Sequence, residues 1–115
     1  MPQYVLLLHD DPTRLADITP EQMQQIVQRY VAWHQKIRQA GLAVNGHKLR
    51  DGEGRVLRSR DGALATTDGP YAEAREVIGG LFVIQAAGYD EAERLCADCP
   101  HLEFGAIEIR EVEPT

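Results

Sequence analysis

The chain has 115 residues and a formal net charge of -6 at pH 7, with 43% hydrophobic and 26% charged residues. These values predict one ordinary globular domain with a modest core, and the acidic balance argues against a nucleic-acid partner, which needs an excess of Lys and Arg. No apolar run approaches the roughly 20 residues that cross a bilayer and the N-terminus lacks signal-peptide features, so no membrane partner is expected and the cytoplasm is the expected location.

Residues 4–8 form a continuous apolar run that ends in the polar His9-Asp10-Asp11-Pro12. A run apolar on both faces reads as a central strand covered on both sides. A helix start follows: Thr19 at the N-cap, Pro20 at the first helical position and Gln22 at the third, the pattern of a capping box. Met23, Ile26, Val27, Tyr30, Trp33, Ile37 and Ala40 recur at three- and four-residue spacing. They predict an amphipathic helix of about five to six turns, stopped by Gly41 as its C-terminal cap.

Short strands come next, punctuated by turn residues. Residues 42–44 lead into an Asn45-Gly46 turn, and residues 47–50 run to Asp51-Gly52-Glu53-Gly54. Residues 55–60 and 63–67 flank Asp61-Gly62, a two-residue hairpin signal of type I′. Lys48, Arg50, Arg55, Arg58 and Arg60 are interleaved with Asp51, Glu53 and Asp61, and read as a solvated hairpin before an anion site. Residues 77–86 are apolar on both faces, and Gly79-Gly80 inside them mark a bulge or a close backbone approach. Asp90, with Glu93 three residues on, predicts a second capped helix to about residue 99, before Pro100. Residues 106–112 alternate, with Ile107 and Ile109 on one side and Glu108 and Arg110 on the other.

The order β-α-β, hairpin, β-α-β is the split βαβ arrangement of ferredoxin-like α+β folds with an antiparallel sheet and an inserted β-hairpin. Both helices then cover one face of the sheet, while residues 77–86 need cover on both. The uncovered face predicts a homodimer.

Candidate chemical groups are few. Cys96 and Cys99 are expected as reduced cysteines within the second helix; with His101 they make three ligands where structural zinc takes four, so no metal is expected. Asp68, ahead of Gly69-Pro70, either accepts a backbone N–H two residues on in an Asx-turn or carries protons. His34 lies beside Tyr30 and Ile37 on the helix stripe, as a core-edge histidine with one nitrogen satisfied or as a proton carrier. His9 and His47 sit at strand ends where a cleft mouth could lie. Glu108 and Arg110 face away from the core and must form salt bridges or bind a polar ligand. Glu73 and Glu76 flank the turn after Asp68 and are candidates to meet Arg110 or Arg75. No phosphate loop, dinucleotide fingerprint or nucleophile elbow appears, so no cofactor is expected.

The stretch Thr67-Asp68-Gly69-Pro70-Tyr71-Ala72-Glu73-Ala74-Arg75-Glu76-Val77-Ile78-Gly79-Gly80 resembles the signature of the YCII-related, or DGPF-domain, family, with Tyr71 where Phe often stands. The resemblance continues through Cys99-Pro100-His101-Leu102-Glu103-Phe104-Gly105 and Glu108-Ile109-Arg110-Glu111-Val112. It also takes in the first strand, the Trp33 helix and Asn45-Gly46-His47. It implies a dimeric α+β barrel of two ferredoxin-like sheets packed face to face. It also implies a dyad of a helix histidine and the turn aspartate. Asp68 matches the aspartate, Tyr30 falls close to the histidine's place, and His34 is one turn later. Relatives in the superfamily include isomerases, small monooxygenases and dehalogenating enzymes, and some members resemble accessory partners of extracytoplasmic-function sigma factors.

The expected function is therefore the binding or cofactor-free acid–base transformation of a small organic acid or lactone. Asp68 and His34 are the expected proton carriers, and Arg110, Glu108, His47 and Glu73 the expected ligand contacts. The alternative is a regulatory binding module, for example a sigma-factor partner.

Overall fold

The fold is described from a computed structural model covering residues 1–69 and 77–114. Its first strand, β1 (Gln3–Asp10), lies between two antiparallel neighbours, β5 (Val77–Gln85) and β6 (Gly105–Glu111), and β2 (Ala43–Lys48) extends the sheet beyond β5. The resulting order, β2-β5-β1-β6, is the one a ferredoxin-like split βαβ fold requires. Between β2 and β5 the chain makes a separate two-stranded hairpin, β3 (Arg55–Arg60) and β4 (Ala63–Asp68). Asp61 and Gly62 at its tip both have positive φ, 49° and 81°, as a type I′ turn demands.

After β1, a single helical turn α1 (Pro12–Leu15) precedes the long helix α2 (Pro20–Gln39). Thr19 and Gln22 form the full capping box, and Gly41 ends the helix at φ 76°. The third helix, α3 (Tyr89–Cys96), is capped at Gly88 without a side-chain bond, so Asp90 and Glu91 stand in its first turn and not at the cap. There they still favour the helix through its dipole. A 3-10 turn (Pro100–Glu103) then leads into β6. No helix among the described residues is long and apolar enough to cross a membrane.

The sheet register sorts side chains to two faces, because residues paired across strands share a face. Tyr4 and Leu6 of β1, Ile84 of β5 and Ile107 and Ile109 of β6 point to the helices, where Trp33, Ile37, Ala92, Cys96 and Cys99 complete the core. Trp33 locks the layers: its indole N–H donates to the Leu95 carbonyl at 3.0 Å, and its ring meets Phe82 edge-on at 5.1 Å. The other face carries Val5, Leu7, Leu81 and Val83, all half-buried. Thus β1 and β5 are apolar on both sides, and among the described residues the helices cover only one of them.

Three expectations need correction. Asn45-Gly46 is not a turn but lies inside β2, because Gly46 faces Phe82, whose ring occupies the space of a Cβ. The early part of the α2 stripe is not core: Met23 and Val27 are 39% and 50% exposed. Cys99 falls beyond α3, at the start of the 3-10 turn. Burial pushes the thiols of Cys96 and Cys99 up, to about 12 and about 11, so neither is an ionised nucleophile at neutral pH.

Candidate functional site

The end of β1 is shaped by a missing side chain. Leu8 pairs with Gly80 and His9 with Ile78, which leaves Gly79 bulged out of the ladder. A Cβ on Gly79 would stand 2.6 Å from Cγ of Asp10, so only glycine lets the Asp10 carboxylate lie across this strand. The next residue, Asp11, turns the chain away by accepting the Thr13 backbone N–H at 3.0 Å. Asp10 is thereby held at the wall of a cleft of about 540 Å³. Leu15 of α1, the loop 49–54, the base of the hairpin at Arg55, Val56 and Gly69, and Ile78 of β5 make the other walls. Gly69 and Val77 also line this cleft.

Behind Asp10 lies a buried polar chain. His101 is 2% exposed. Its Nε2 stands 2.9 Å from the His9 carbonyl oxygen, which can only accept, so Nε2 carries the proton. Its Nδ1 then accepts from the Tyr30 hydroxyl at 2.7 Å. This tautomer is assigned from the hydrogen-bond pattern and gives both ring nitrogens a partner. Nε2 also lies 3.8 Å from Oδ1 of Asp10. Gly105 permits the packing: a Cβ there would collide with the His9 carbonyl oxygen and approach His101 Nε2 to 3.1 Å.

Desolvation by burial raises the Asp10 carboxyl above its ordinary range. Burial, then the neighbouring Cys99 and Asp10, hold the Tyr30 hydroxyl proton far more tightly than in water. Within this cluster Asp10 combines a partly open carboxylate, a raised affinity for a proton and a cleft in front of it.

The six residues singled out in the sequence do not form one constellation. Glu108, Arg110 and His47 share the open face of the sheet, opposite Leu7, Val5 and Leu81 respectively. Glu108 there meets His9, Oε1 to Nε2 at 2.9 Å. His34 lies on the other side of the sheet, its ring 5.0 Å from that of Phe82, and its Nε2 is buried without a hydrogen-bond partner. Asp68 ends β4, exposed, across the ladder from Arg55. The Asx-turn proposed for it fails on chemistry, because the residue two positions on, Pro70, has no N–H. Glu73, with Glu76, lies outside the described residues.

Asp10 and His101 were the residues sequence reasoning missed. Asp10 reads as the polar end of a strand, and His101 was weighed only as a third zinc ligand. One signal was present: Gly79 inside a strand and Gly105 before another both mark close approaches, and both make room for this cluster. The basic loop was set aside as solvated, yet its Arg50 and Arg55 line the cleft.

The chain belongs to the YCII-related domain family, whose model matches residues 2–115. Its fold is similar to that of 5-chloro-2-hydroxyhydroquinone dehydrochlorinase from Burkholderia phenoliruptrix AC1100, solved in complex with 2,5-dihydroxybenzoquinone. The two share 13% identity at a TM-score of 0.54, over 96% of this chain and 93% of that one. No curated protein matches the sequence.

Proposed function

We propose that this protein binds a small organic acid in the cleft beside Asp10 and moves a proton to or from it with the Asp10 carboxyl. The observation that carries this reading is the placement of Asp10, backed on one side by His101 and lining on the other a cleft large enough for a small organic molecule. A carboxyl with a raised proton affinity gives and takes a proton at milder pH than an exposed one. Arg50 and Arg55 supply the cationic contacts an anionic substrate needs. Asp68 stands opposite Arg55 at the base of the hairpin, next to this cationic wall. Leu15, Val56 and Ile78 give the substrate's carbon skeleton an apolar wall. The dehydrochlorinase of similar fold acts on a small oxygenated ring, which fits the same class of compound. A regulatory module would have its carboxylates salt-bridged in a filled interface, and an open cleft favours the small-molecule reading instead.

In this reading the working unit is a homodimer joined through the open faces of two sheets. Val5, Leu7, Leu81 and Val83 form an apolar strip there that a second copy would cover, with Glu108, Arg110 and His47 as polar contacts around it.

The test is a thermal-shift screen of hydroxylated benzoquinones, aromatic acids and lactones, followed by deuterium exchange from solvent into any compound that binds. A ligand raises the wild-type midpoint by preferential binding to the folded state. Arg55→Gln should lose most of that rise. Asp10→Asn should keep binding but lose the catalysed exchange. The reading fails if no compound shifts the wild type, or if exchange survives in Asp10→Asn.

A further inference from the structure

We propose that α2 carries a second site, separate from the Asp10 cleft, that binds a small aromatic carboxylate between His34 and Arg38. A cavity of about 210 Å³ lies against this helix, lined by Tyr30, Val31, His34, Gln35, Arg38 and Phe82. None of these residues lines the Asp10 cleft. The helix residues among them fall at i, i+1, i+4, i+5 and i+8 and so share one face.

Two polar groups in this cavity lack the partners that comparable groups have. His34 Nε2 is buried and makes no hydrogen bond. Leaving such a nitrogen unpaired is costly enough to be rare, and an occupant or water is its usual explanation. The other two cations of α2 are neutralised by the turns beneath them, Arg29 by Glu103 and Lys36 by Asp98. Arg38, among the described residues, pairs with no carboxylate. A cation and a ring nitrogen four residues apart on one helix, both unpartnered, can hold the two oxygens of one carboxylate.

The rest of the cavity defines the body of the ligand. Phe82 and Tyr30 present ring surface, and Val31 an apolar edge. The Tyr30 hydroxyl is turned away to His101, so Tyr30 contributes its ring alone. Gln35 offers an amide at the rim. Desolvation, reinforced by Arg38, lowers the His34 pKa, which favours the uncharged ring, and with its proton on Nε2 that ring can donate to a carboxylate oxygen. The charge for the anion comes from Arg38. This site stands whether or not the Asp10 cleft is catalytic.

The probe is sodium benzoate, followed through the imidazole nitrogen and proton resonances of His34, which are assigned with His34→Gln. Benzamide serves as the uncharged control of the same shape. The expected result is a saturable shift of the His34 resonances, with the dissociation constant raised about tenfold in Arg38→Gln and about tenfold for benzamide. Arg38 is exposed, so the variant should keep the wild-type urea midpoint, which is measured alongside. Asp10→Asn should leave the benzoate constant unchanged. The proposal is overturned by no saturable shift at tens of millimolar benzoate, by equal binding of benzoate to wild type and Arg38→Gln, or by loss of the shift in Asp10→Asn.

Discussion

Replacing Gly105 by alanine tests the buried chain behind Asp10 without touching any of its polar groups. Gly105 pairs with Asp10 at the end of the β1–β6 ladder. Its added methyl would overlap the His9 carbonyl oxygen, stand 3.0 Å from the His9 carbonyl carbon and 3.1 Å from His101 Nε2. The obstacle is backbone, which cannot rotate away as a side chain can, so the two strand ends must spread. Overpacking of this kind costs about 1–3 kcal/mol. Spreading also lengthens the 2.9 Å bond from His101 to His9, worth about 0.5–1.5 kcal/mol. Together these predict a loss of about 2–4 kcal/mol. Urea unfolding followed by the fluorescence of the buried Trp33 reads it directly, and with a slope of about 1.5 kcal/mol per molar the midpoint falls by about 1.5–2.5 M. Gly41→Ala is the comparison: its Cβ meets nothing within 4 Å, so only the left-handed backbone, at φ 76°, costs about 1–2 kcal/mol. If Gly105→Ala unfolds at the wild-type midpoint, or later than Gly41→Ala, the packing argument for the cluster is wrong.

The remaining predictions concern charge and assembly. Because desolvation raises the Asp10 carboxyl in the folded state, its favourable contribution is fully present below the unfolded value of about 3.9 and is lost as pH rises through the folded one. Asp10→Asn should therefore gain stability relative to wild type on going from pH 4 to pH 7, read as the difference in urea midpoints; a variant that loses ground over that range contradicts the burial argument. For assembly, sedimentation at micromolar concentration should give twice the 12.8 kDa chain mass, and Val83→Glu, which puts a charge in the apolar strip, should shift it toward the monomer. A wild type that sediments as a monomer removes the dimer.

What the sequence discloses of this fold is what local chemistry controls. The capping box at Thr19, the positive-φ turn at Asp61-Gly62 and the alternation of β6 each depend on residues close together in the chain, and each forms as the residues suggest. Asn45-Gly46 shows where that logic stops. As a pair it is a strong turn signal, but the glycine was needed for a contact with Phe82, which is distant in sequence and becomes its neighbour only after β2 pairs with β5. The exposed start of α2 has the same origin. A hydrophobic period shows which side of a helix is apolar, and not which of its residues find cover.

The site was harder to read for a related reason. His101 bonds to Tyr30 and to the His9 carbonyl across 71 and 92 positions of the chain, and Asp10 lies 3.8 Å from its Nε2. No spacing rule links residues so far apart, and each has an ordinary local explanation: a strand end, a helix stripe, a residue after a proline. The glycines were the better guide, because a missing side chain inside a strand records a neighbour's demand for space. Gly79 admits the Asp10 carboxylate and Gly105 admits the His9–His101 bond, so two absent side chains outline the cluster that the polar residues alone did not reveal. Charge patterning failed in the complementary way. Acidic residues interleaved with Arg50 and Arg55 suggested a solvated loop, yet that loop forms the wall opposite Asp10. Mixed sign along a segment is compatible with a binding wall whenever the fold turns the cations toward one cavity. Arg55→Gln and Asp10→Asn probe opposite walls of that cavity, so if the site is as argued, one should fail in binding and the other in proton transfer.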